Sequence, residues 1–216
     1  WPVRSPAWGA FAYSGGKLSV DAEFRDGALA ESGGRFPLLG RAQVDVDFNR
    51  RVIDIRTADI QTSFARLEAR ADWHLGGGIE AEIRGSVSDL KRCRDFLSLI
   101  LNEKFEFPEI RGSGYADVRL NGPESSPRIS FSGAFSPAGF GLFDAAYVEG
   151  EGRVAGAGFS GRFRLDDPAY KGVLNVESGR GLTAVEFHEA EGDLTRVLAG
   201  FELDLPFKGR TVGDFS

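Results

Sequence analysis

The sequence predicts an all-β protein, a mostly antiparallel sheet with one short helix. Three observations predict it. Polar and apolar residues alternate through most of the chain, which gives each strand one dry and one wet face. Glycine accounts for 29 of 216 residues and phenylalanine for 18, a content of turn-formers and bulky apolar groups that suits many strands joined by many turns. Only one stretch spaces its apolar residues for a helix.

The alternation begins in "KLSVDAEF", which sets Leu18, Val20, Ala22 and Phe24 against Ser19, Asp21 and Glu23. "RAQVDVDF" repeats it with Ala42, Val44, Val46 and Phe48. "RLEARADWHL" gives Leu67, Ala69, Ala71, Trp73 and Leu75, and "IEAEI" gives Ile79, Ala81 and Ile83. Between these two lies Gly76–Gly78, able to take the positive φ of a tight hairpin, so 66–75 and 79–84 are expected to pair as antiparallel neighbours.

"SVSDLKRCRDFLSLILN" breaks the pattern. Leu90, Cys93, Leu97, Ile100 and Leu101 recur at helical spacing, which predicts a helix over 88–101 that covers an end or edge of the sheet. Ser86 or Ser88 suits its cap, Asp89 its first turn and Asn102 its stop. Strands resume in "GYADVRLNGPESSPRISFSGAF", where a Gly-Pro…Pro turn separates two alternating runs. They continue through "AYVEGEGRVAGAGF", "GRFRLDD", "YKGVLNVES", "LTAVEFHEA" and "AGFELDLPF".

One enzyme-like motif stands in this series. "GAGFSG" places Gly156, Gly158 and Gly161 as G-x-G-x-x-G. A dinucleotide-binding fingerprint opens a helix, whose N-terminus holds the phosphates. Here "RFRLDD" follows and alternates Phe163 and Leu165 against Arg162 and Arg164, which is a strand. The glycines are expected at bends or bulges of a Gly-rich strand, and no nucleotide is expected. The two histidines, His74 and His188, fall on polar faces without ligand-spaced neighbours. Asp45 and Asp47 share a wet face, and Asp166 and Asp167 precede Pro168 in ordinary turn chemistry. No G-x-S-x-G, H-E-x-x-H or G-K-[ST] occurs. An enzyme, a metal site and a cofactor are therefore not expected.

Composition narrows the classes further. Acidic residues outnumber basic ones 32 to 26, and no basic cluster offers nucleic acid a face. A single cysteine, Cys93, forms no internal disulfide and is expected as a small apolar side chain on the helix. The longest apolar run is "FLSLIL", 96–101, far below the roughly 20 residues of a spanning helix. The chain starts at Trp1 and holds no methionine, which leads us to expect a piece of something longer.

From about Leu67 to Phe163 the chain resembles the TamB/AsmA-like bacterial envelope proteins. An alternating strand ending in glycine ("IEAEIRG") precedes a short helix ("SDLKRCRDFL"), followed by the hairpin "GSGYADVRLNGPESSPRISFSGAF". Residues 1–66 and 164–216 share only the general texture. The resemblance implies an elongated sheet curled into an open, apolar-lined groove, with 1–216 as one segment of a larger repetitive domain. It implies a periplasmic location in a protein anchored in the inner membrane. It also implies phospholipid transport between inner and outer membranes, with acyl chains in the groove. The groove candidates, taken from the apolar register of each strand, are Val118, Leu120, Ile129, Phe131, Phe135, Phe163, Leu165, Leu174, Val176, Phe201, Leu203 and Leu205. A second class is a structural or interaction module that assists the assembly of outer-membrane β-barrel proteins, with such a protein as partner. A groove left open and lined continuously by apolar groups favours the first, and an interior filled at native density favours the second.

Overall fold

The computed structural model describes residues 3–29, 35–100, 110–140, 143–179, 182–193 and 210–215. Its first half holds β1 (Val3–Arg4), β2 (Ala7–Ser14), β3 (Lys17–Leu29), β4 (Arg35–Asp47), β5 (Val52–Thr62), β6 (Ala65–His74), β7 (Gly78–Val87) and the helix α1 (Leu90–Ile100). The second half holds β8 (Ile110–Pro123), β9 (Arg128–Phe140), β10 (Phe143–Ala145), β11 (Tyr147–Ala155), β12 (Gly158–Asp166), β13 (Tyr170–Gly179), β14 (Leu182–Asp193) and β15 (Arg210–Phe215). All fifteen strands belong to one antiparallel sheet, and nearly every strand pairs with its sequence neighbours. β1 and β2 lie end to end along β3, and β10 and β11 lie end to end along β9. Among the described residues β2 and β15 are edges, so the sheet is open. The predicted all-β, antiparallel class with one short helix is what the chain adopts.

The expected hairpin between β6 and β7 forms, with Trp73 opposite Ile79 and Gly76 at φ 78°. The Gly-Pro…Pro hairpin forms between β8 and β9. Three readings need correction. Phe48 leaves the apolar face of its run: it stands 56% exposed in the turn after β4, edge-on to Tyr13 with centroids 6.3 Å apart. The run 146–159 is not one strand, because a two-residue turn at Gly156–Ala157 divides it into β11 and the start of β12, with Ala155 opposite Gly158. Gly156, at φ 58°, is therefore a hairpin residue and not a bulge. The segment "AGFELDLPF" lies outside the described residues, and with it Phe201, Leu203 and Leu205.

β5 shows how the sheet keeps its faces. "VIDIRTADI" loses strict alternation at Arg56–Thr57, and there the register with β6 jumps from Ile55–Ala71 to Ala58–Ala69. The bulge adds one residue to β5, without which Ala58 and Ile60 would turn outward, so one face stays apolar on both sides of it.

α1 begins at Leu90, two residues inside the span 88–101, and its cap is Asp89, not serine. The Asp89 carboxylate accepts the Arg92 N–H at 3.0 Å, and the Asp89 carbonyl accepts the Cys93 N–H at 3.0 Å. Ser88 is already engaged, its N–H and hydroxyl both donating to the Phe64 carbonyl. An aspartate at this position also meets the positive end of the helix dipole. Cys93 is half-buried, and burial raises its thiol pKa. The side chains of Leu97 and Ile100, and all of Leu101 and Asn102, fall outside the described residues.

Few residues are fully buried. Among the described residues one cluster of buried apolar groups joins Ala145, Leu165, Tyr170, Phe187 and Ala190, with Val148, Ala169 and Leu174 packed against it. The Tyr170 hydroxyl reaches the Asp144 carbonyl, which ties β13 to β10. Most other apolar residues are half-buried along one face of the sheet.

Candidate functional site

The strand register settles which residues share that face. Val118, Phe131, Gly152, Gly161 and Val176 stand opposite one another across β8, β9, β11, β12 and β13. On one side runs the row Leu120, Ile129, Val154 and Phe159. On the other runs Ala116, Gly133, Gly150, Phe163, Leu174 and Phe187. Beyond it, Phe135, Val148 and Leu165 are aligned. All nine described groove candidates thus lie on one face, in rows two residues apart. Only Leu165 is buried, and the other eight are half-buried.

The face does not stop at β8. Ile83, Ala69, Ala58, Ala42 and Ala22 extend the row of Val118 through β7, β6, β5, β4 and β3. Sequence reasoning missed this extension as part of the site, together with Val154, Phe159 and Phe187. The signal was present in the alternation of the early strands, which the groove candidates left out. Phe159 was hidden because it sits inside the glycine motif.

The glycines have a specific use on this face. A β-carbon on Gly152 would stand 2.5 Å from Cζ of Phe131, and one on Gly161 would stand 2.7 Å from Cε2 of Phe163 and 2.9 Å from Cζ of Phe159. Gly150 is covered by the Phe163 ring in the same way. Phe131 and Phe159 are near-parallel, with centroids 6.2 Å apart and planes at 16°. Three aromatic rings therefore lie down over three glycines of β11 and β12 rather than standing up from the sheet. The result is a low apolar floor. The third glycine of G-x-G-x-x-G is a seat for two of these rings and has no phosphate-binding helix behind it.

The opposite face is charged and self-paired. Arg84 meets Asp117 at 3.2 Å, Arg119 meets Glu82 at 3.3 Å, and Lys171 meets Glu191 at 2.7 Å. A furrow of about 920 Å³ crosses it from β7 to β14. By register its walls are two polar rows, Arg84–Asp117–Ser132–Glu151–Arg162 and Glu82–Arg119–Ser130–Arg153–Ser160. Its floor is the backbone between them. Of the nine candidates, only Val118, Phe131 and Val176 border it. This concavity is thus polar, while the apolar candidates form the other surface.

Of the paired carboxylates, Asp45, Asp47 and Asp167 are engaged by neighbours. Asp45 pairs with Arg56, and Asp47 lies 3.6 Å from Lys17 and accepts the N–H groups of Asn49 and Arg50 at 3.1 and 2.9 Å. Hydrogen bonding from the Arg50 backbone is the main reason the Asp47 pKa is lowered. Asp167 accepts the N–H groups of Ala169 and Ala146 at 2.8 and 3.0 Å. His74 lies 3.1 Å from Asp72, and His188 lies 3.0 Å from Glu186. No group of three metal-ligating side chains occurs among the described residues.

Asp21 offers a direct test of the charged face. Arg41 grips it with two hydrogen bonds at 3.0 and 2.7 Å, and Gln43 adds a third at 2.9 Å. These bonds, the Arg41 pair foremost, lower its pKa from 3.8 to about 2. A carboxylate whose folded pKa lies below its unfolded value contributes stability above the unfolded pKa, and that contribution is lost as pH falls through the folded pKa. Carbon-detected NMR titration of the carboxyl group is expected to place the Asp21 midpoint near 2. In Arg41→Ala the midpoint is expected to move up toward 3.8 with the sheet intact. An unmoved midpoint would show that the pair does not hold in solution.

Comparison with protein-family models, curated proteins and solved structures finds no match for this chain.

Proposed function

We propose that this chain is a segment of a bacterial envelope protein that carries phospholipid acyl chains along its apolar face, between the inner and outer membranes. One observation carries the reading. The apolar residues of β3 to β14 fall in unbroken registered rows, and most described members remain half-buried on an open sheet, with rings laid flat over Gly150, Gly152 and Gly161. An apolar sheet face without a packed partner among the described residues is suited to another apolar phase against it. Acyl chains supply one without requiring a complementary shape. The charged opposite face suits an aqueous compartment, and the resemblance of residues 67–163 to TamB/AsmA-like proteins supports the periplasm as that compartment. Phospholipid is the partner, and no cofactor or catalysis enters the proposal.

The test is a photo-reactive amino acid placed in turn at positions 131, 162 and 163 of the protein in its native envelope. Adducts are identified by lipid mass spectrometry. Phospholipid adducts are expected from 131 and 163, which share the apolar face, and not from 162 between them in register. Equal lipid yield from 162 would defeat the reading and favour a structural module that assists β-barrel assembly.

A further inference from the structure

Ion pairing on the polar face stops part-way along the furrow. At its β7–β8 end Arg84 and Arg119 are held by Asp117 and Glu82. Across β9 to β13 the same two rows stand unengaged. Glu151 and Arg162 lie opposite each other in register, yet among the described residues neither side chain makes a hydrogen bond or an ion pair. Nor do those of Ser132, Arg153, Ser160 and Asn175. These groups face about 920 Å³ of open furrow, within the roughly 300–1,000 Å³ of ligand clefts. The furrow crosses β7, β8, β9 and β11 to β14 in turn. Six strand spacings of roughly 4.8 Å make it about 29 Å long. Tyr115 brings an aromatic ring to this charged face. It alternates with Asp117 and Arg119 on β8 and is 56% exposed. It borders a second hollow of about 860 Å³ that shares Asp117, Ser132, Glu151 and Arg162 with the first.

We propose that this furrow is a binding groove for a neutral linear glycan, laid across the strands with its sugar units in step with them. Charge selects against a polyanion, because the lining carries five carboxylates against four guanidiniums. Position selects against an extended peptide. A peptide strand joins a sheet through free backbone groups at an edge, whereas here the backbone of the floor is spent on the ladders between β8, β9, β11, β12 and β13. A hydroxyl-rich chain fits both facts. Each hydroxyl donates to a carboxylate such as Glu151 and accepts from Arg153, Arg162 or Asn175, so a mixed lining of near-zero net charge serves it throughout. An extended glycan advances by roughly one strand spacing per sugar unit, and successive units therefore meet equivalent groups on successive strands. The Tyr115 ring offers a flat apolar surface to the C–H face of one sugar. Acyl chains would lie on the other face of the sheet, so the two readings succeed or fail separately.

Calorimetric titration of the 216-residue chain with the β-1,4-linked hexasaccharides of glucose, mannose and N-acetylglucosamine tests it. At least one is expected to bind saturably, and roughly tenfold or more tighter than its disaccharide, because the furrow gives a longer chain more strands to cross. Arg162→Ala is expected to weaken that binding roughly tenfold, the scale of a lost hydrogen bond to a charged group. Tyr115→Leu keeps an apolar side chain without the ring and is expected to weaken it about threefold or more. Both side chains are exposed, and an unchanged far-ultraviolet spectrum checks that the sheet is intact. Added salt is expected to alter the affinity by less than about twofold, since a neutral chain releases no counterions. Failure of all three hexasaccharides to bind overturns the proposal. So does binding indifferent to both substitutions. Tighter binding of polygalacturonate with a steep salt dependence, or of an extended peptide, also overturns it and assigns the furrow to that class instead.

Discussion

Replacing Phe187 by alanine is expected to lower the stability of the chain by about 3–5 kcal/mol, the range for removing a buried phenylalanine and leaving a cavity. Phe187 is 5% exposed and belongs to the buried apolar cluster, beside Leu165 (4%), Tyr170 and Ala190. Its ring also covers Gly172, where a β-carbon would stand 2.5 Å from Cε2. The loss is also expected to be local, because strands here pair with sequence neighbours and coupling across such an array passes from strand to strand. Hydrogen exchange should therefore show lost amide protection in β12–β14 while β3–β6 keep theirs. A change below about 1 kcal/mol in urea unfolding would mean that this cluster is not what anchors the C-terminal strands.

Much of the fold was legible because period two is a direct consequence of strand geometry. β3, β4, β6 and β7 follow from alternation alone, and the β6–β7 hairpin follows from three glycines between two alternating runs. What escaped has physical reasons. β2 escaped because AWGAFAYS contains no charge, so there is no polar register to contrast with its apolar one. β5 escaped because its bulge at Arg56–Thr57 breaks the period that the face itself preserves. The division of 146–159 escaped because glycines on strand and turn look alike in sequence. Gly150 and Gly152 sit under rings in β11, while Gly156 turns the chain only six residues after Gly150. The cap on α1 escaped because Ser88, an equally good capping residue, spends its hydrogen bonds on Phe64. In the candidate site, each residue's face was readable from alternation. That Phe131, Phe159 and Phe163 lie flat was not, since it depends on which glycine of a neighbouring strand each ring meets.

Phe163→Glu is expected to cut phospholipid adducts formed from a photo-reactive residue at position 131 by roughly tenfold or more, because an ion against hydrocarbon is strongly disfavoured. The size follows from the forces on an acyl chain at this face. Each methylene removed from water contributes about 0.8 kcal/mol, so a dozen contribute roughly 10 kcal/mol before the chain is ordered. A carboxylate at 163 replaces the ring over Gly150 and Gly161 and brings its hydration shell into the row between Gly150 and Leu174. An acyl chain must then leave the floor there or strip that water. Phe163→Leu restores an apolar group and is expected to keep most of the adducts. Arg162→Glu makes a larger change of charge at the adjacent residue, but its side chain faces the polar furrow. It is expected to leave adducts at 131 within about twofold, a difference of less than 1 kcal/mol. A far-ultraviolet spectrum identical to the parent's separates loss of lipid from loss of fold. If Phe163→Glu keeps its sheet and its adducts, lipid does not run along this face. If Arg162→Glu loses them equally, charge anywhere on the strand is enough to disturb them, and the two faces have no separate roles.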